Sequence, residues 1–173
     1  MTTDELRGLV RDVPDFPHEG IVFKDLMPLI GNAAAFHSTV EHLAEWARPL
    51  KPDVILGAEA RGFIFGGALA YELDCGFVPA RKPGKLPWEK IRATYELEYG
   101  SDSLEIHADA FARGARVIVL DDVLATGGTA QAKVELVENL GGEVVGALFV
   151  IELTFLNGRE KLAGTDVHAL IAY

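Results

Sequence analysis

Two adjacent carboxylates, Asp121 and Asp122, close the apolar run Val117-Ile118-Val119-Leu120, and after Val123-Leu124 comes a run of small residues, Ala125-Thr126-Gly127-Gly128-Thr129. The apolar run has the character of a strand buried on both faces. The glycines permit close backbone approach and unusual dihedrals, and the residues beyond them read as a helix. The first amides of a helix lack intrahelical partners, so with the local dipole they can hold a phosphate. Thr126 and Thr129 add hydroxyl donors. Paired acids beside a phosphate cradle make sense when the acids face sugar hydroxyls or coordinate Mg²⁺ while the amides take the phosphate. The unit therefore reads as a phosphosugar site. Adjacent side chains on an extended backbone point in opposite directions, so both acids are expected to reach one site because the strand ends and turns there. The pattern is neither Gly-x-x-x-x-Gly-Lys-Ser/Thr nor Gly-x-Gly-x-x-Gly, which argues against an ATP-type phosphate loop and against dinucleotide binding.

Cationic candidates lie upstream. Arg61 falls in the turn Glu59-Ala60-Arg61-Gly62, just after the apolar run Val54-Ile55-Leu56, where a guanidinium can meet a phosphate group. From Arg81 to Arg92 the residues Arg81, Lys82, Lys85, Lys90 and Arg92 face only one acid, Glu89. This cluster stands out in a chain with 16 basic against 26 acidic residues and a net charge of −10, which speaks against a uniformly basic nucleic-acid-binding surface. The five histidines are scattered without zinc spacing, and Trp46 and Trp88 form no stacking array for bases. The single cysteine, Cys75, excludes an intrachain disulfide, has no adjacent base that would make it a nucleophile, and is expected to be a small buried residue.

These residues need a scaffold, and the hydrophobic pattern supplies one. A helix is expected over Thr3 to Val13, followed by an irregular segment from Asp15 to Leu29. Asn32 is placed to cap a helix running to Ala47. Val54 to Leu56 and Gly76 to Pro79 read as strands around a helix from Gly62 to Leu73, in which Gly66 and Gly67 suggest close packing. Thr94 to Tyr99 and Ser103 to His107 read as a hairpin. Arg116 to Leu120, Val144 to Ile151 and Val167 to Ile171 read as further strands, with a helix from Gly128 to Leu140 and a helical turn near Gly158 to Leu162. The expected architecture is one α/β domain spanning residues 1–173, a central mainly parallel sheet flanked by helices, with a small flexible hood at about residues 81–109. Hydrophobic residues make up 49% and charged residues 24%, as in an ordinary soluble globular protein. No apolar run is long enough for a membrane span, and the first residues lack the features of a secretory signal, so a cytoplasmic location is expected.

Taken together, these segments resemble the bacterial adenine phosphoribosyltransferases, of the type I phosphoribosyltransferase fold. The resemblance is carried by Val117 to Thr129, and beyond it by Asp15-Phe16-Pro17, Gly20 to Asp25, Glu59 to Phe63, Arg81 to Pro87, Tyr95 to Gly100 and Glu152-Leu153-Thr154. It covers nearly the whole chain in order. It implies transfer of ribose 5-phosphate from phosphoribosyl pyrophosphate to N9 of adenine, giving AMP and pyrophosphate, in purine salvage. It also implies that Ala125, Thr126, Gly127, Gly128 and Thr129 hold the 5′-phosphate and that Asp121 and Asp122 contact the ribose hydroxyls. Ala60, Arg61, Arg81, Lys82 and Lys85 would meet pyrophosphate, and a cis non-proline peptide often precedes the family's equivalent of Arg61. Adenine would lie against Val22, Phe23, Lys24 and Leu153, with backbone groups at Val22 and Lys24. Lys24 stands where some relatives have arginine. Glu98 would exchange a proton at adenine N7, and Tyr99 would help the hood close and order the substrate, so that Glu98, Arg61 and Tyr99 are the catalytic candidates. The implied cofactor is Mg²⁺, held mainly by substrate oxygens and water, and the implied assembly is a homodimer.

Two other readings stay open on the sequence. The cradle would serve equally for transfer to another base, such as hypoxanthine or xanthine. It would also serve a non-catalytic sensor of phosphoribosyl pyrophosphate. The hood with Arg81, Lys85 and Glu98, together with the lack of an added DNA-binding domain, favours catalysis.

Overall fold

The structure, a computed structural model, describes residues 1–96 and 101–173. Its centre is a five-stranded parallel sheet in the order β4-β3-β7-β8-β9, formed by β3 (Val54–Ala58), β4 (Gly76–Ala80), β7 (Arg116–Leu124), β8 (Glu143–Glu152) and β9 (Val167–Ala172). Helix α4 (Arg61–Leu73) connects β3 to β4, and α5 (Gly128–Asn139) connects β7 to β8. The crossovers explain why the central strands are continuously apolar, since helices cover both faces. Ile55, Ile118, Leu120, Leu148 and Val150 pack with Leu43, Phe65 and Leu69 on one side. Leu56, Val117, Val119 and Phe149 pack with Leu136, Leu104 and Ile106 on the other. Burial of each such side chain contributes about 1.5–3 kcal/mol, so the ends of β3 and β7 rest on a fully buried core.

Helix α3 (Ala33–Ala47) begins where Asn32 predicts, with the Asn32 side chain accepting the Ala35 N–H at 3.1 Å. Gly66 also fits its expectation, because a Cβ there would come within 2.6 Å of the Phe77 ring; Gly67, by contrast, faces open space. Cys75 is half-buried, and burial raises its thiol pKa.

The N-terminal region departs from expectation. Helix α1 (Thr3–Arg7) is closed by a capping box between Thr2 and Glu5 and stops after two turns at most, instead of running to Val13. The next residues form β1 (Arg11–Pro14), which pairs antiparallel with β2 (Val22–Asp25); α2 (Met27–Ile30) follows. Long-range pairing wins over local helical spacing because two cross-strand ion pairs, Arg11–Asp25 and Lys24–Asp12, support the ladder. The segment expected to be irregular thus contains a strand, the one that carries Val22, Phe23 and Lys24.

The hood hairpin is longer on its first side than expected. Strand β5 (Lys90–Glu96) pairs with β6 (Ser101–His107), and Ala93, Tyr95, Leu104 and Ile106 are buried. A further correction concerns the acids: β7 continues to Leu124, with Asp121 opposite Phe149 and Leu124 opposite Glu152, instead of ending and turning at Asp121.

Candidate phosphosugar and base site

The C-terminal ends of β3, β7 and β8 meet α4, α5 and β2 around a cleft of about 380 Å³, lined by Val22, Phe23, Lys24, Glu59, Arg61, Lys82, Tyr95, Asp121, Asp122, Ala125, Thr129 and Leu153, among others. A smaller recess of about 70 Å³ opens beside it, walled by Asp121 and Val123 to Ala130 with Phe149. Crevices at the carboxyl ends of parallel strands are where open α/β sheets take ligands. Here the larger cleft has the width for a ring system, and the smaller recess suits a compact oxyanion.

The recess is built by the turn before α5. Gly127 has φ +81°, and a Cβ there would collide with the Gly158 carbonyl oxygen. Only glycine satisfies both the left-handed backbone and the contact. Gly158, at the start of a 3-10 turn spanning Gly158–Leu162, backs the loop from the far side. Gly128, Thr129 and Ala130 at the start of α5 thus line the recess, with Thr126 exposed and Thr129 half-buried.

Asp121 and Asp122 follow strand alternation and engage partners on different elements. The Asp121 carboxylate accepts the Lys133 ammonium of α5 at 2.8 Å. The Asp122 carboxylate accepts the Arg61 Nε–H at the start of α4. Both acids are nearly buried, at 8% and 6% exposure, yet both line the cleft. The strand need not turn for them to share a site, because they straddle its rim. Burial pushes the Asp121 carboxyl upward, Lys133 pulls it down and Asp122 adds repulsion; the net direction is up.

The peptide Glu59–Ala60 is cis, immediately before Arg61. Arg61 also lies over the Phe23 ring at 5.4 Å, linking the base wall to the acid rim. Ala60 is exposed at this turn. Arg81 and Lys85 are not among the residues lining the cleft, whereas Lys82 is. Arg81 donates to Glu59 at 2.6 Å, Glu59 also accepts the Lys82 N–H at 2.9 Å, and the Lys82 ammonium pairs with Asp102. Burial raises Glu59, but the hydrogen bonds from Arg81 and Lys82 outweigh it and leave its pKa lowered; Asp102 is lowered chiefly by Lys82. Lys85 is exposed in the same segment.

On the opposite wall, Val22 is exposed, while Phe23, Lys24 and Leu153 are half-buried. The Lys24 ammonium is turned to Asp12 at 2.6 Å and lies 3.9 Å from the Tyr173 ring centroid. Its ammonium is thus already engaged, while the residue lines the cleft. Glu98 and Tyr99 lie outside the described residues.

Several site-forming residues have no role in the sequence reading. Lys133, Glu59, Asp102 and Tyr95 all touch or flank the cleft. Lys133 had a legible signal: it occupies an apolar position of α5, on the buried face with Ala130, Leu136 and Val137. The acids had none, since their partners are distant in sequence. Among the described residues no cluster of three or more His, Cys, Asp or Glu side chains is arranged to hold a metal ion, and no helix is long and apolar enough to cross a membrane.

This combination of sheet, cradle and acid rim defines a class. Residues 30–167 match the model of the phosphoribosyl transferase domain, and the chain belongs to that family. Within the family, adenine phosphoribosyltransferases are among its similar relatives. The adenine phosphoribosyltransferase of Caldanaerobacter subterraneus subsp. tengcongensis is 54% identical over 173 residues, covering 100% of both chains. The crystal structure of adenine phosphoribosyltransferase from Thermoanaerobacter pseudethanolicus superposes with a TM-score of 0.97 at 53% identity, covering 99% of this chain and 100% of that one. The Saccharomyces cerevisiae enzyme, solved with an imino-altritol bisphosphate and adenine, gives a TM-score of 0.92 at 46% identity and 97% coverage of each chain.

Proposed function

We propose that this protein is an adenine phosphoribosyltransferase, transferring ribose 5-phosphate from phosphoribosyl pyrophosphate to N9 of adenine and releasing pyrophosphate with AMP. The observation that carries the reading is the shared rim: Asp121, Ala125 and Thr129 border both the oxyanion-sized recess and the ring-sized cleft. A ligand with its phosphate in the first and its sugar at the rim directs its anomeric carbon toward the second.

In this reading Ala125 to Thr129 hold the 5′-phosphate, and Asp121 and Asp122 accept the ribose hydroxyls. Arg61 and Lys82 face the departing pyrophosphate, with the Ala60 backbone beside them. Arg81 and Lys85 join when the 81–85 segment closes. The positive charges offset the charge that develops as the C1–oxygen bond breaks. Arg61, Arg81 and Lys82 are now paired with carboxylates, so pyrophosphate would replace Asp122, Glu59 and Asp102 as their partners, with little net desolvation. Phe23 and Leu153 sandwich the base, and Val22 and Lys24 read it through backbone groups, which suits an aminopurine read against oxo-purines. Glu98 exchanges a proton at N7 as N9 bonds to C1, and Tyr99 orders the closing hood.

Mg²⁺ would enter with the substrate beside Asp121 and Asp122 and would supply positive charge that stabilises the leaving group. The donor set fits this indirect role. Asp121 and Asp122 are already engaged by Lys133 and Arg61, so they suit a hydroxyl-bearing substrate carrying the ion better than a bare cation. The reading includes a cytoplasmic homodimer with the 81–92 segment near the interface, which light scattering on the purified protein checks. The deciding assay supplies phosphoribosyl pyrophosphate and Mg²⁺ with each purine base and compares formation of AMP, IMP, GMP and XMP. Rapid formation of another nucleotide without AMP would overturn the adenine assignment.

A further inference from the structure

Lys133 is the most deeply buried charged side chain among the described residues, at 0% exposure. A buried ammonium is costly unless its protons are placed well. Here it donates to the Leu120 carbonyl at 2.6 Å and to Asp121 Oδ2 at 2.8 Å, with the Phe149 ring centroid 6.0 Å away. Its two acceptors are consecutive residues of β7, at the point where the strand enters the site. The other Asp121 oxygen, Oδ1, takes the Asp122 N–H at 3.1 Å and lies where a Cβ at Gly62 would come within 2.6 Å. The carboxylate is therefore held on both oxygens and closed in by the start of α4.

We infer that Lys133 is a positioning residue for phosphoribosyl pyrophosphate: it acts through Asp121, fixing the orientation of that carboxylate at the ribose edge of the cradle. This rests on the reading of Asp121 as a ribose-facing acid. The same helix supplies the phosphate loop at its N-terminus, five residues upstream of Lys133. A single ammonium thus ties the register of α5, and with it the loop, to the acid on β7. An apolar side chain could fill the space but could not orient a carboxylate. Alone it would leave Asp121 buried without its cation.

The test is a double-mutant cycle on the full chain, reading the KM of each substrate, kcat and Tm for the parent, K133M, D121N and D121N/K133M. K133M is expected to raise the KM for phosphoribosyl pyrophosphate by about tenfold or more, as loss of a supporting partner commonly does, with the adenine KM within about twofold of the parent. In the D121N background, K133M should add less than about a further twofold, because its route of action is gone. An unchanged phosphoribosyl pyrophosphate KM in K133M, or a full further tenfold rise in the double variant, would overturn the inference. Equal rises in both substrates' KM would also overturn it, by marking a general structural role. If K133M does not fold, D121N is compared with D121N/K133M, which lacks the isolated buried charge, by titration calorimetry with phosphoribosyl pyrophosphate. Equal affinities support the inference, and a further tenfold loss sinks it. A D121N variant that binds like the parent would instead refute the placement of ribose at Asp121, separating that failure from this one.

Discussion

The two halves of the cleft are built by different means. The phosphosugar half is a single stretch of chain, Asp121 to Thr129, set on the buried end of β7 and wedged against Gly158. The base and hood half is assembled from β2, the 3-10 turn after β8, the β5–β6 hairpin and the segment from Arg81 to Lys85. Most of its side chains at the cleft are half-exposed, and it is tied together by part-exposed ion pairs, Arg81–Glu59 and Lys82–Asp102. The first half is rigid because it is close-packed. The second is adjustable because exposed ion pairs are individually weak and exchangeable. That division suits a reaction in which one charged substrate is gripped in a fixed frame while a lid closes over a flat, neutral base.

Damage to the fixed half should be the most severe and the most selective. In G127A the added methyl meets both an unfavourable φ of +81° and the Gly158 carbonyl, so the loop must move. Misplacement by about 1 Å commonly costs about 10²-fold. We expect a loss of that order in kcat/KM, dominated by a higher phosphoribosyl pyrophosphate KM, with adenine affinity nearly unchanged. A G127A enzyme with parental kinetics would show that the loop is not rigid. In the adjustable half the chemistry should separate from binding. E98Q is expected to lower kcat by about 10²-fold, the lower end for loss of an acid–base group, while either KM moves little. An unchanged kcat removes Glu98 from that role.

The same division decides what could be read from the sequence. Parallel strands buried on both faces leave continuous apolar runs, and the cradle is local, so β3, β7, α5 and the loop were legible as they stand. The exact end of β7 was not: its pairing with β8 through Leu124 depends on a neighbour that no local pattern reveals. Strand β1 reads as helix in the sequence because its partner, β2, lies beyond an intervening turn. The cations of the site could be listed from composition. Their carboxylate partners could not, since Glu59 and Arg81 are 22 residues apart and Arg61 and Asp122 are 61 apart. The role of Lys24 was also beyond the sequence, because what takes its ammonium is Asp12 and the Tyr173 ring.

That ring offers a milder way to test the comparison. Tyr173 is flanked by Lys24 at 3.9 Å and Arg7 at 5.0 Å, and its carbonyl accepts the Thr154 N–H and hydroxyl at 2.9 Å and 2.6 Å. It therefore braces both walls of the base cleft, β2 and the residues after Leu153. Replacing it by alanine removes two cation–ring contacts worth about 0.5–1 kcal/mol each at exposed sites. The adenine KM should rise by about three- to tenfold, while the phosphoribosyl pyrophosphate KM stays within about twofold. Equal effects on both substrates would mean that the two halves are mechanically coupled.

The smallest expected effect comes from the root of the hood. Glu105 is 1% exposed; one carboxylate oxygen accepts Arg92 at 2.6 Å and 3.0 Å, and the other accepts the Gly84 N–H at 3.1 Å. Burial raises its pKa, but these donors prevail and hold it below its ordinary 4.5. The folded protein thus binds the proton less tightly than the unfolded chain. Stability from this group is fully present above pH 4.5 and is lost as pH falls through the lower, folded value. E105Q should accordingly lower Tm at pH 7 by about 2–4 °C, the shift that roughly 1 kcal/mol produces in a chain of this size, and the gap from the parent should narrow as pH is lowered below 4.5. Because Glu105 anchors the segment that carries Lys82 and Lys85 without lining the cleft, the substitution should leave adenine affinity in place and loosen only the closing of the hood. A gap in Tm that stays constant from neutral pH to pH 3 would show that the carboxylate's charge contributes nothing, and that the hairpin root is held by packing like the sheet.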